Sequence, residues 1–171
     1  DTWKLSDSFI RPQRGIQYAL GYFRNMKQNT VEFSAEVYYR SMQNLLDYRS
    51  GATIVLNDRI EQDVLLTRGQ SYGLELFLKK STGKLNGSLS YTFSRSLLQT
   101  DPSEQKEQVN RSAWYPSNFD QPHTANLVAN LELSRRVNTT LAGKYSTGRP
   151  VTLPVSKFNY GGSERVYFSD R

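Results

Sequence analysis

A lone histidine and a nearby acid are the first candidates for chemistry in this 171-residue chain. His123 sits in "FDQPHTAN", three residues after Asp120. A carboxylate that orients an imidazole is the heart of a general base. No second histidine, no cysteine and no G-x-S-x-G elbow stand near it to complete a triad. The better reading is structural: Asp120 and His123 fix the mouth of a strand by hydrogen bonds. Asp58, Glu61 and Asp63 in "LNDRIEQD" offer carboxylates at i, i+3 and i+5. A calcium loop needs a central glycine and a distal glutamate, so loose divalent binding yields to a solvated loop. The third group is aromatic. Trp114, Tyr115 and Phe119 cluster in "SAWYPSNF", and Arg149 follows in "STGRPVTLP". Aromatic platforms grip sugars and chelates, which makes these four residues candidate ligand contacts. Interfacial anchoring or loop packing is the competing account. No catalytic residue, cofactor site or metal site is expected.

Composition narrows the class. Zero Cys removes disulfides, thiolate catalysis and Cys-based zinc together. The mean hydropathy is negative. No stretch approaches the ~18 apolar residues of a membrane-spanning helix. Eleven tyrosines are conspicuous. The net charge is +6, but the longest basic runs are "LKK" and "SRR", and Lys and Arg are scattered. With no nucleic-acid motif present, a nucleic-acid partner is not expected. The chain opens at "DTWKLSDSF", as if cut from something longer.

The elements that must carry these residues are strands. Alternation recurs over residues 15–24, 30–40, 71–79, 85–96, 124–134 and 139–146. A period of two, rich in Tyr, Phe, Val and Thr, is a strand signal. "RVYF" near the end is a seventh candidate. The joints alternate in length. "NMKQN", "STGK" and "RRVN" are short and turn-like, whereas residues 41–70, 97–123 and 148–165 are long. All tight turns therefore fall at one end of an antiparallel sheet and all long loops at the other. A transmembrane β-barrel is built this way.

The two faces differ. One carries Tyr39, Leu74, Leu76, Leu89, Tyr91, Leu127, Leu131 and Leu141, which are the expected lipid contacts. The other carries Glu32, Glu36, Glu75, Asn86, Ser90, Asn126 and Lys144. Tyr18, Tyr39, Tyr72, Tyr91, Phe93 and Tyr145 lie toward the long loops, where an interfacial aromatic girdle belongs. Gly87, Ala125, Ala129 and Gly143 on the dry face are poor fillers for a packed core. Glycine in a strand also marks bulges or bends, and that account stays open.

Three segments carry a family resemblance. "SYGLELFLKKSTGKLNGSLSYTFSRS" and "NRSAWYPSNFDQPHTANLVANLELS", running into "YSTGRPVTLP", resemble the barrel of TonB-dependent outer-membrane receptors. The upstream "YALGYFRNMKQNTVEFSAEVYYRSMQNLLDYRSG" is similar to a hairpin and outer loop of the same barrels. The resemblance implies a slice of a larger barrel of 22 strands, plugged by an N-terminal domain. It implies import of siderophores, cobalamin, glycans or peptides across the outer membrane of a Gram-negative bacterium. The implied partners are outer-membrane lipid, the plug and remaining strands, the TonB complex acting through an N-terminal segment, and a surface lipoprotein. Plug, TonB-contacting segment and terminal aromatic strand are not in this chain, which stops at "FSDR".

The expected fold is therefore all-β: six to seven strands of an antiparallel up-and-down transmembrane barrel, with residues 1–171 part of one barrel domain and no enzymatic chemistry. The rival is a soluble extracellular all-β binding module, such as a carbohydrate-binding sandwich, whose dry face packs on a second sheet.

Overall fold

The computed structural model describes residues 10–48, 52, 63–101, 109–151, 153–161 and 163–168. The described residues form nine strands: β1 (Arg14–Met26), β2 (Val31–Tyr48), β3 (Val64–Lys80), β4 (Leu85–Thr100), β5 (Tyr115–Pro116), β6 (His123–Ser134), β7 (Val137–Ser146), β8 (Pro154–Tyr160) and β9 (Ser163–Phe168). The protein is all-β, and no α-helix occurs among the described residues. One antiparallel sheet runs β1-β2-β3-β4-β6-β7 in sequence order, with β5 on the edge of β4. The sheet is open, so β1 and β7 are its edges. β8 and β9 form a separate hairpin.

Register settles which residues share a face, because directly opposed residues of an antiparallel pair point the same way. Tyr18 opposes Tyr39, which opposes Tyr72. Leu20, Val37, Leu74, Phe93 and His123 form the next row toward the turns. Then come Tyr22, Ala35, Leu76, Tyr91, Ala125 and Tyr145, followed by Arg24, Phe33, Leu78, Leu89, Leu127 and Gly143. Every expected lipid contact lies on this face. Leu74 and Leu127 do not oppose each other across two sheets; they belong to one. The face is uncovered: Tyr39 is 45% exposed, Leu89 46% and Leu141 62%. Leu74, Leu76 and Tyr91 are half-buried by their sheet neighbours.

The opposite face is held by polar pairs. Lys79 bridges Glu32 at 3.3 Å, and Arg40 donates to Gln17 Oε1. Asn126 donates to Ser90 at 3.1 Å, and Thr140, Asn130 and Asn86 form a chain across three strands. Phe23, Tyr38 and Phe77 are exceptions to its polarity. Tyr38 lies over Gly73, where a Cβ would sit 2.8 Å from its ring, so the ring covers what the glycine leaves bare.

The short joints are as tight as the sequence requires. Residues 27–30 turn with Lys27, Gln28 and Asn29 all at positive φ, and Gly83 takes φ 98° in the next turn. β6 and β7 are joined by Arg135 and Arg136 alone, since Val137 already pairs with Ser134. The long joints hold more strand than the alternation indicates. β2 runs nine residues past Tyr39, roughly 30 Å further. β3 starts eight residues before Tyr72, and a bulge between Met42 and Leu45 shifts the register there. The tyrosine row thus stands within β2 and β3, not at their ends. "RVYF" belongs to β9, which pairs with β8 inside what reads as a loop.

Gly87, on the apolar face, is a backbone requirement. It has φ 153°, and a Cβ would stand 2.1 Å from the Val128 carbonyl oxygen. Gly143 is different: nothing lies within 4 Å of its Cβ position.

Candidate functional site

Among the described residues, those that are buried all lie at the long-loop end. They include Leu65, Thr67, Thr100, Tyr115 and Asp120, each at most 2% exposed. No described residue between the tyrosine row and the turns is buried. The segment 109–123 closes this end by running along the edge of β4. Val109–Ser112 forms a turn in which Asn110, Arg111 and Ser112 have positive φ. Gln99 holds it by donating to the Ser112 carbonyl at 2.8 Å. Tyr115 and Pro116 then pair with Leu98 and Leu97. Ser117 N–H donates to Ser96 O at 2.9 Å, and Ser94 N–H to Pro122 O at 3.0 Å. β6 continues along the same edge.

Asp120 is the clamp of this segment. Its Oδ1 accepts from Ser96 N–H at 2.6 Å, and its Oδ2 meets Arg95 Nε at 3.2 Å. Its own N–H closes a turn onto Ser117 O at 2.9 Å. A buried carboxylate needs such partners, and here they are backbone amide and guanidinium. The turn leaves Phe119 at its tip, 77% exposed. His123 acts separately: its Nδ1 is 2.8 Å from the Tyr91 hydroxyl, and its ring packs near Phe93 at 5.4 Å. The two residues therefore secure different things. Asp120 fastens the loop to β4, and His123 fastens the first residue of β6 to the aromatic row.

A second fastening brings in Arg149. Thr147 N–H donates to His123 O at 2.9 Å, His123 N–H donates to Thr147 Oγ1 at 3.1 Å, and Gln121 Nε2 donates to Thr147 O at 3.0 Å. Two residues on, the Arg149 guanidinium stands over the Phe119 ring, 6.0 Å from its centroid. Two residues 30 apart in sequence thus form one exposed cation–π pair. Trp114 is 40% exposed and makes no ring contact with Phe119 among the described residues.

Tyr115 leaves the candidate set. It is 1% exposed, and its hydroxyl donates to Asp47 Oδ2 at 2.9 Å, so it is core rather than platform. A buried tyrosine that bonds an acid 68 residues away had no signal in local sequence. Of the acidic trio, Asp63 is buried, and Asp58 and Glu61 lie outside the described residues, as does most of "DPSEQKEQ". Among the described residues no three His, Asp or Glu side chains gather as metal ligands would.

A G-x-S-x-G match does occur at residues 69–73, far from His123 in sequence. It lies within β3, where Ser71 is 3.5 Å from Ser96 Oγ. The strand-to-helix elbow that exposes a nucleophile is not there. What the site offers chemically is an aromatic ring, a guanidinium and an indole around a strand mouth. Rings stack on planar groups and a guanidinium pairs with anions, so the chemistry of these groups suits a planar or anionic ligand. Comparison with protein-family models, curated proteins and solved structures found no match to this chain.

Proposed function

We propose that this chain is part of an outer-membrane β-barrel that imports nutrients, of the TonB-energised receptor type, and carries out no catalysis. The observation that supports it is the single-sheet register: six strands in sequence order keep their apolar residues on one uncovered face. In this reading that face meets lipid, the polar face lines the lumen, and the long-loop end faces outward. From Tyr39 to Val31 the face spans eight residues, ~27 Å along the strand and ~20 Å in height at a tilt of ~40°. That height suits the apolar band of an outer-membrane barrel. The row Tyr18–Tyr39–Tyr72 marks its outer border. Further strands, beyond β1 and β7, close the wall, since open edges do not persist in hydrocarbon. Import of a scarce nutrient rests on the resemblance of the three segments, and Phe119, Arg149 and Trp114 are the proposed outer ligand contacts.

The absence of native cysteine makes a direct test simple. Single-cysteine variants Leu89→Cys and Ser90→Cys are labelled in cell envelopes. The reading predicts an envelope-bound protein in which Ser90→Cys reacts with a water-soluble maleimide and Leu89→Cys reacts only with a lipid-soluble one. A soluble protein, or equal labelling by the water-soluble reagent, overturns it.

A further inference from the structure

Cations that are scattered along the sequence converge at the turn end of the sheet. Residues 24–32, 79–86 and 131–138 hold seven cations (Arg24, Lys27, Lys79, Lys80, Lys84, Arg135 and Arg136) against Glu32 and Glu132. This end therefore carries a net +5 of the chain's +6. Among the described residues its one ion pair is Lys79–Glu32, on the polar face. Two of the cations stand on the apolar face itself: Arg24 opposes Phe33, and Lys80 opposes both Val31 and Gly87.

A shallow depression of about 180 Å³ lies beside Lys80, lined mainly by Leu78, Leu85, Leu89, Leu127 and Ala129. Gly87 also lines it. No side chain from position 87 can fill it, because a Cβ there would collide with the backbone of Val128 and Ala129. A hydrocarbon seat with a lysine at its rim matches one class of molecule: a chain of methylenes ending in an anion.

We propose that the turn end is an anionic-phospholipid surface, in which an acyl chain lies in the Gly87 depression and the headgroup phosphate pairs with Lys80, helped by Lys84 and Arg24. The proposal rests on the reading that the apolar face meets lipid. Charge complementarity selects the occupant. Lysine and arginine stems lie along apolar surface while their heads reach the phosphate layer. A polybasic rim beside a membrane attracts anionic lipid at about 1 kcal/mol per cation. Nucleic acid fits less well, since the cations border a greasy dent with no stacking platform in the turns.

The test uses the closed barrel that contains this chain, reconstituted into phosphatidylcholine vesicles, with spin-labelled phosphatidylglycerol or phosphatidylcholine as probe. Protease protection first reports insertion. The motionally restricted lipid signal then reports selectivity. Phosphatidylglycerol is expected to be favoured about five-fold or more, the effect of one well-placed cation. The triple variant K80Q/K84Q/R24Q is expected to insert normally and lose that preference, while R14Q/R111Q, altered at the other end, keeps it. Insertion with no anionic preference, or a preference that survives the triple change, overturns this proposal and leaves the membrane reading standing. Failure of the unaltered barrel to insert overturns both.

Discussion

The long-loop end and the body of the sheet solve opposite problems with the same kind of strand. At the long-loop end, Leu65, Thr67, Thr100 and Tyr115 pack out of water, and a buried Asp120 is fully partnered. In the body, Leu20 is 74% exposed, Leu141 62% and Tyr145 63%, and nothing covers them. The difference is not one of apolar content. Where burial occurs, a loop is pinned over the strands by specific polar bonds. Where it does not, aliphatic side chains form rows without interdigitation. The body thus exposes a contiguous apolar face, larger than isolated surface hydrophobics would make.

Changes at the packed end should therefore cost most. Tyr115→Ala is expected to lose about 3–5 kcal/mol in an unfolding titration in detergent or lipid. Tyr115→Phe, which removes the hydroxyl that bonds Asp47, should lose about 1 kcal/mol. If Tyr115→Ala were as mild as Tyr115→Phe, the long-loop core would not be a core. Asp120→Ala leaves Ser96 N–H and Arg95 without their acceptor, and about 2–3 kcal/mol should be lost. Binding at Phe119 should weaken along with stability, because the turn that presents the ring is undone.

Within the body the glycines sharpen the contrast. Gly87→Ala should cost about 1–3 kcal/mol from the forced backbone shift against Val128. Gly143→Ala should fall within about 0.5 kcal/mol of neutral. Smallest of all, Gln28→Gly should gain about 0.5–1 kcal/mol by relieving a left-handed residue in the first turn. Chemical-denaturant midpoints measure all three.

Much of the sheet was legible because period-two patterning dictates which side chains share a face. Six strands, their order and the apolar residues of the dry face follow from that pattern and from the short, turn-forming joints, whereas Arg24, Lys80, Arg95 and His123 on the same face do not. Strand extent at the long-loop end was not legible. Past Tyr39 the bulge at Met42–Leu45 breaks the alternation, so "SMQNLLDY" reads as loop although it pairs with β3. The site was half legible. Phe119 and Arg149 are recognisable by type, but their meeting depends on Thr147 bonding residues 121–123, which no local spacing encodes. Tyr115 looked like its exposed neighbours because burial is decided by Asp47 from another strand. The cationic end was hidden for the same reason: three separate turns hold the charges, and only the topology stacks them.

The central claim is that the dry face of the sheet lies against hydrocarbon. Leu89→Arg and Ser90→Arg test it most directly, since the two residues are adjacent and point to opposite faces. In a folding titration into lipid vesicles, Leu89→Arg should lose about 2–4 kcal/mol, whereas Ser90→Arg, which disturbs one exposed bond from Asn126, should lose under about 1 kcal/mol. Equal losses, or no loss at Leu89, would contradict the account.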